Sequence, residues 1–436
     1  MKKFNEWLEK NLLPIGAKIG TQKHLGAIRD GFISILPLTM VGSVAVLLNV
    51  LLRDIPTSLG NEDFVAAVQP IIEINGAIWW GSLAMMALMF TFSFAYNLAK
   101  ASNVAPLPAA IVAVVAFITT MPQTVPESVT GGDGIWGYLG SSYLGATGLF
   151  TAMIITIITI EIYSFLIRKN ITIKMPDSVP PAVSKSFTAV IPGVISIYVI
   201  SIISYIVLQM TGIVINDLVS TVILNPLLNL SQGLPAVLLI NILTQLFWFV
   251  GIHGMNVLAP IYESLWGVAL IENIEAIQLG LEVPYIWATS SFFIYAHFGG
   301  TGGTLALILG IFVFGKRADT KAISKLALPP GIFNINEPIV FGFPIILNPI
   351  YFIPWILIPT ITITIGYVFT AAGIVGPVVA AVPWVTPVGL YAFLSTAGNI
   401  PATLLSLAMF ALTFVMWIPF IFAAEKTENN KREQND

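Results

Sequence analysis

The sequence predicts an all-α polytopic membrane protein of about ten transmembrane helices, with re-entrant hairpins and amphipathic helices added. Three observations carry that expectation. Hydrophobic residues fill 56% of the 436 positions and charged residues only 9%, where an ordinary soluble chain has about 25% charged residues. The mean hydropathy is +0.89. The 19 Lys and Arg residues are also gathered rather than spread. The same figures exclude a disordered chain and a nucleic-acid binder, and the absence of cysteine excludes a disulfide-stapled domain.

Six basic residues precede Asp30, Lys100 stands alone, four lie from Arg168 to Lys185, four from Lys316 to Lys325 and three from Lys426 to Arg432. Short cytoplasmic loops collect Lys and Arg, so these five groups mark the cytoplasmic face, with Arg53 the exception. Residues 1–30, with Trp7, Leu8, Leu12, Leu13 and Ile15 among lysines, read as an amphipathic cytoplasmic segment on the inner leaflet rather than a cleavable signal. Gly31–Leu52 crosses outward into an acidic loop, and Ala77–Leu98 returns to Lys100. Val104–Met121 leaves, the Gly-, Ser- and Thr-rich Pro122–Gly145 stays outside, and Ala146–Ile167 returns to Arg168. Thr188–Leu208 leaves again. Residues 31–215 thus form a five-span part. Residues 216–234 read as an amphipathic connector, with Leu218, Val222, Leu224, Leu227 and Leu230 between polar positions.

Residues 235–424 are less regular. Ala236–Gly251 crosses inward, and Gly254–Pro284 carries Glu263, Glu272, Glu275 and Glu282. Tyr285–Phe314 is too long for one straight span and is interrupted by Gly299–Gly303 (GGTGG). Leu328–Pro349 holds five prolines, too many for one continuous helix, and is expected to form a re-entrant hairpin. Ile350–Val375 and Ala402–Ala424 are ordinary spans. Residues 425–436 form a cytoplasmic tail, so both termini are expected inside.

Non-helical backbone at membrane depth survives where protein shields it or where it lines a wet cavity. The hairpin carries Asn334, Asn336 and Glu337 in a tract otherwise short of polar groups. A carboxylate at the bilayer centre costs about 2.5–3.5 kcal/mol on insertion scales, which marks Glu337 as a pathway or binding residue. The second feature runs from Phe247 to Asn256: His253 stands between Gly251 and Gly254 at the end of an apolar span, with Trp248 before it and Asn256 after it. The third is His297 beside GGTGG, a run without the Lys-Ser/Thr of a nucleotide loop. Glu161 is expected to approach Arg168 along its helix, a structural pairing. Trp384, Ser395, Thr396 and Asn399 precede the last span.

Three histidines without cysteine or paired-His spacing give no metal signature, and no cofactor is expected. There is no nucleophile elbow and no Walker motif. One carboxylate, one imidazole, amides and Trp faces suit a neutral polyhydroxylated solute: oxygens accept from sugar hydroxyls and indole covers the apolar face of a pyranose. The lack of Arg or Lys within the apolar tracts argues against an anionic substrate.

Gly251–Gly254 (Gly-Ile-His-Gly), Asn334–Pro349 (opening Asn-Ile-Asn-Glu-Pro) and Ile28–Ser43 closely resemble the lactose/cellobiose family of phosphotransferase-system EIIC permeases, over nearly the whole chain. Within it, the chain looks most like the cellobiose and N,N′-diacetylchitobiose permeases of the bacterial cell membrane. The resemblance implies a homodimer formed through the five-span part and a sugar-carrying later part. It also implies inward group translocation of a β-linked disaccharide, phosphorylated at C6 by phospho-EIIB, whose phosphate is on cysteine. With so short a tail, EIIB is expected to be a separate protein. Glu337 matches the family glutamate and His253 the family histidine, both holding the acceptor hydroxyl. Gly254, Asn256, Trp248, Trp384, His297, Asn334 and Asn336 are further candidate sugar contacts. Which disaccharide is carried stays open. Two rival readings are an ion-coupled secondary sugar transporter, with Glu337 and His253 relaying protons, and a membrane enzyme acting on lipid-linked sugar.

Overall fold

The computed structural model describes residues 2–125, 135–176, 178–343 and 345–433. Residues 126–134 of the expected outside loop, Pro344 of the expected hairpin and residues 434–436 of the tail lie outside the described residues. The chain is an all-α, multi-pass membrane protein. Among the described residues, seven helices are long and apolar enough to cross a membrane. An eighth results if Ile215–Ser231 and Leu234–Phe249, bent by 76°, count as one. The expectation of about ten counted Val104–Met121 as a full span and Tyr285–Phe314 as an interrupted stretch. Val104–Met121 yields the helix Pro106–Ile118, 13 residues and so about 20 Å long. Tyr285–Phe314 breaks at the glycines into Thr289–Tyr295 and Thr304–Phe314.

The chain divides into two compact units. One comprises Thr21–Asn229 and Glu263–Glu275. Its first long helix starts at Lys23, where the Gln22 side chain accepts the Leu25 N–H at 2.6 Å and caps the free amide end. Phe90 and Phe94 are fully buried, with Phe32 against Phe90 at 4.3 Å between ring centroids. Ala109, Ala110, Ala113 and Ala116 form a fully buried stripe along Pro106–Ile118. Small side chains of this kind let apolar helices approach closely where no hydrophobic force acts between them. Asn75 donates to buried Asn49 at 3.0 Å, so the two amides satisfy each other away from water. Glu161 does not take the partner expected from its own helix. Lys23 Nζ and His24 Nε2 both reach its Oε1, the latter at 2.9 Å. A charge seven residues along one helix can only share a face, whereas a neighbouring helix end can bring its side chains directly onto the carboxylate. In the connector, Leu224 and Leu228 are buried while Val222 and Leu230 face outward.

The other unit comprises Met1–Gly20, Leu230–Tyr262 and Ala276–Asp436. Its core joins Leu8 of the helix Lys2–Thr21 to Trp248, Phe249, Ile308, Ile345, Trp355 and Trp417. Two of its buried indoles find backbone acceptors: Trp355 Nε1 donates to Gln245 O at 2.9 Å and Trp417 Nε1 to Gly302 O at 3.2 Å. The proline-rich stretch is less broken than its composition suggests. The helix Ala318–Ile332 runs through Pro329 and Pro330. They forgo the i→i−4 hydrogen bonds to the carbonyls of Lys325 and Leu326, and the helix ends within three residues of Pro329. The break falls instead at Phe333–Asn336, with Asn334 at φ +63°. Glu337–Gly342 then forms a short helix with Pro338 in its first turn, and Phe343 returns to extended backbone before Pro349–Ala371 begins.

Candidate functional site

Two interruptions in this second unit bear the polar groups singled out by sequence. The first lies between Leu234–Phe249 and Gly254–Tyr262 and carries His253. The chain reverses tightly there. A Cβ at Gly254 would lie 2.2 Å from Thr244 O, so only glycine lets the new helix start against the old one. The second interruption carries Glu337. The two are joined by a backbone hydrogen bond, Leu347 N–H to Phe249 O at 3.0 Å.

The Asn256 N–H donates to His253 Nδ1 at 3.2 Å. That contact fixes the tautomer: in the neutral ring the proton sits on Nε2. Nε2 faces Glu337 Oε1 at 3.9 Å, and the two side chains are 40% and 45% exposed. The gap is too wide for a direct hydrogen bond. An oxygen about 2.8 Å from both atoms fits above it, accepting from Nε2–H and donating to the carboxylate. Trp248 stacks at a tilt on the imidazole, 4.5 Å between ring centroids, and is itself 2% exposed. It therefore acts as the wall behind His253 in this structure.

The two asparagines near Glu337 are turned to backbone partners. Asn334 Oδ1 accepts the Gly299 N–H at 2.9 Å, and Asn334 Nδ2 donates to Trp384 O at 2.7 Å and Thr386 O at 2.8 Å. Asn336 Nδ2 donates to Thr301 O at 3.2 Å. The glycine run is thereby seated on the hairpin. Gly300 has φ +96°, and a Cβ there would meet Asn336 Cβ at 2.7 Å. Sequence reasoning found both asparagines but not Thr386, Thr301, Leu347 or Phe249. Those contribute main-chain groups, which have no residue-type signature.

The remaining candidates divide by exposure. Asn256 is exposed and reaches His253 through its backbone. Trp384 is 46% exposed, an indole face open to a ligand. His297 is 1% exposed and packs on Phe293 and Phe292, at 5.3 and 6.3 Å between centroids. No group of three or more His, Cys, Asp or Glu able to hold a metal occurs among the described residues.

A multi-pass helical protein with broken membrane elements, a carboxylate facing an imidazole and an open indole is a permease built for a hydroxylated solute. The family model described as "Phosphotransferase system, EIIC" matches residues 29–359, and the chain belongs to that family. It is 36% identical to the cellobiose-specific EIIC component of Lactococcus lactis subsp. lactis (strain IL1403), over 99% of this chain and 100% of that one. It is also 36% identical to the lichenan permease IIC component of Bacillus subtilis (strain 168), over 100% and 96%. The crystal structure of the transporter ChbC, the IIC component from the N,N′-diacetylchitobiose-specific phosphotransferase system, superposes with a TM-score of 0.91. It shares 33% identity over 98% of this chain and 99% of that one. As a phosphotransferase-system EIIC permease, the chain works on a sugar, in the membrane, with an EIIB partner.

Proposed function

We propose that this permease carries a β-linked disaccharide, cellobiose or N,N′-diacetylchitobiose, into the bacterial cell and presents its C6 hydroxyl to phospho-EIIB. The names of its relatives, which include a cellobiose-specific and an N,N′-diacetylchitobiose-specific component, support the substrate class. The observation that carries the mechanism is the 3.9 Å gap between His253 Nε2 and Glu337 Oε1. A C6 hydroxyl placed there accepts from Nε2–H and points its own proton at the carboxylate. Its oxygen is then free to attack the phosphorus held on the EIIB cysteine. The O–P bond forms, the S–P bond breaks, the thiolate leaves and Glu337 takes the hydroxyl proton. His253 holds the oxygen in line and offsets charge on the transferring group. Gly254 gives the backbone its close turn, while Trp384 offers a face to a pyranose ring.

Both termini lie in the cytoplasm on this reading, with the basic groups at 316–325 and 426–432 on the side from which EIIB acts. The five-span part forms a homodimer interface, and the unit holding both interruptions carries the sugar across. Purified protein with phospho-EIIB and radiolabelled sugars tests the whole. Phosphorylation of cellobiose or diacetylchitobiose, each competed by the other, is the expected result. Transport that continues without EIIB and stops on collapsing the membrane potential would sink the reading.

A further inference from the structure

We infer that Asn334 is a positioning residue that holds Glu337 and Trp384 in one frame, and so couples grip on the sugar to phosphate acceptance. The inference rests on the reading of Glu337 as the base and Trp384 as a sugar platform. Asn334 is 7% exposed and makes three hydrogen bonds with one amide. Its oxygen holds the GGTGG turn through Gly299 N–H, and its two N–H groups go to separate carbonyls, those of Trp384 and Thr386. A primary amide has two donors and one acceptor atom, and here every one is engaged by a different residue. The backbone at Asn334 is left-handed, a conformation that Asn and Asp tolerate better than other side-chain-bearing residues. That conformation turns the chain out of Ala318–Ile332 and starts the short helix whose first residue is Glu337. The amide therefore sits where the carboxylate-bearing helix, the glycine turn and the Trp384 segment converge. Its partners are all main-chain atoms, so a shift of Asn334 moves whole segments rather than single side chains.

Two substitutions separate the hydrogen bonds from the backbone conformation. Asn334→Asp keeps size, left-handed tolerance and the acceptor for Gly299 N–H, but sets an oxygen against two carbonyls. Asn334→Gly keeps the conformation and deletes the side chain. With full-length protein and radiolabelled cellobiose, Asn334→Asp is expected to weaken binding roughly tenfold or more, and to slow phosphorylation of bound sugar by a further factor of about ten. Asn334→Gly should show both losses to a lesser degree, because it removes contacts without adding repulsion. Trp384→Ala should weaken binding far more than it slows phosphorylation of bound sugar, and Glu337→Gln should lower phosphorylation by about 10²–10⁴ with binding within a few-fold, so a joint loss at Asn334 is the signature of coupling. Wild-type binding and turnover in a monodisperse Asn334→Asp protein overturn the inference, as does loss of only one of the two. If the aspartate variant does not fold, the glycine variant decides by the same criteria. Phosphorylation within about tenfold of wild type in Glu337→Gln would instead remove the base assignment, a result readable without Asn334.

Discussion

The backbone N–H of Leu347 donates to the carbonyl of Phe249 at 3.0 Å. Phe249 ends the helix before His253, and Leu347 lies beyond the short helix that Glu337 opens. One main-chain bond thus stitches the imidazole-bearing break to the carboxylate-bearing one. The two breaks are thereby tied through the backbone, with His253 Nε2 and Glu337 Oε1 3.9 Å apart.

Removing the carboxylate while keeping its shape separates grip from chemistry. Glu337→Gln is expected to leave sugar binding within a few-fold and to lower phosphorylation by about 10²–10⁴, the usual contribution of a general base. Phospho-transfer to cellobiose from purified EIIB, beside equilibrium binding of the same sugar, checks both halves. Equal loss of the two would show that Glu337 grips rather than reacts.

The tautomer of His253 yields a sharper test. A glutamine amide reaches the position of Nε2 and can donate there, while an asparagine amide reaches only to Nδ1. His253→Gln should therefore retain more phosphorylation than His253→Asn, by about tenfold for one recovered hydrogen bond. The opposite order would place the working nitrogen at Nδ1.

Gly300 and Gly373 share positive φ, +96° and +69°, but differ in surroundings. A Cβ at Gly300 meets Asn336 and Asn334 O, and at Gly373 it meets nothing within 4 Å. Gly373→Ala should carry the backbone cost alone, on the order of 1–2 kcal/mol, with transport intact. Gly300→Ala should lose thermal stability further and reduce transport. Equal melting temperatures for the two in detergent would remove the argument for close packing of the glycine run.

Glu161→Gln frees Lys23 and His24 in the other unit. These groups are partly exposed, at 35% for Glu161, so the loss is expected to stay below about 1 kcal/mol. Thermal unfolding in detergent should fall slightly, with sugar phosphorylation unchanged. A large loss of transport would give this cluster a functional role that its geometry does not suggest.

Scarcity of charge made the site legible. In a chain this apolar, Glu337 and His253 stand out by residue type alone, and Pro338 beside Glu337 already marks a helix start. What sequence could not show is where an amide points. Asn334 and Asn336 read as sugar ligands by composition, yet both reach main-chain atoms many residues away. His297 has the residue type of a ligand and the burial of a core side chain. Pro329 and Pro330 mislead in the other direction: the helix carries both and stops only at Ile332. Glu161 shows the same limit for charges: its partners come from across the fold and not from two turns along its own helix.

The Lys2–Thr21 helix reads by composition as a membrane anchor, but Leu8 is 2% exposed in the core with Trp248, and Gly16 packs on Phe247 and Ile252. Clipping the protein at Thr21 would thus strip the backing from the histidine break instead of trimming a dispensable leader. A bulky affinity tag fused close to Leu8 would bear on the same wall, so purification handles are better placed after the Ile400–Glu433 helix.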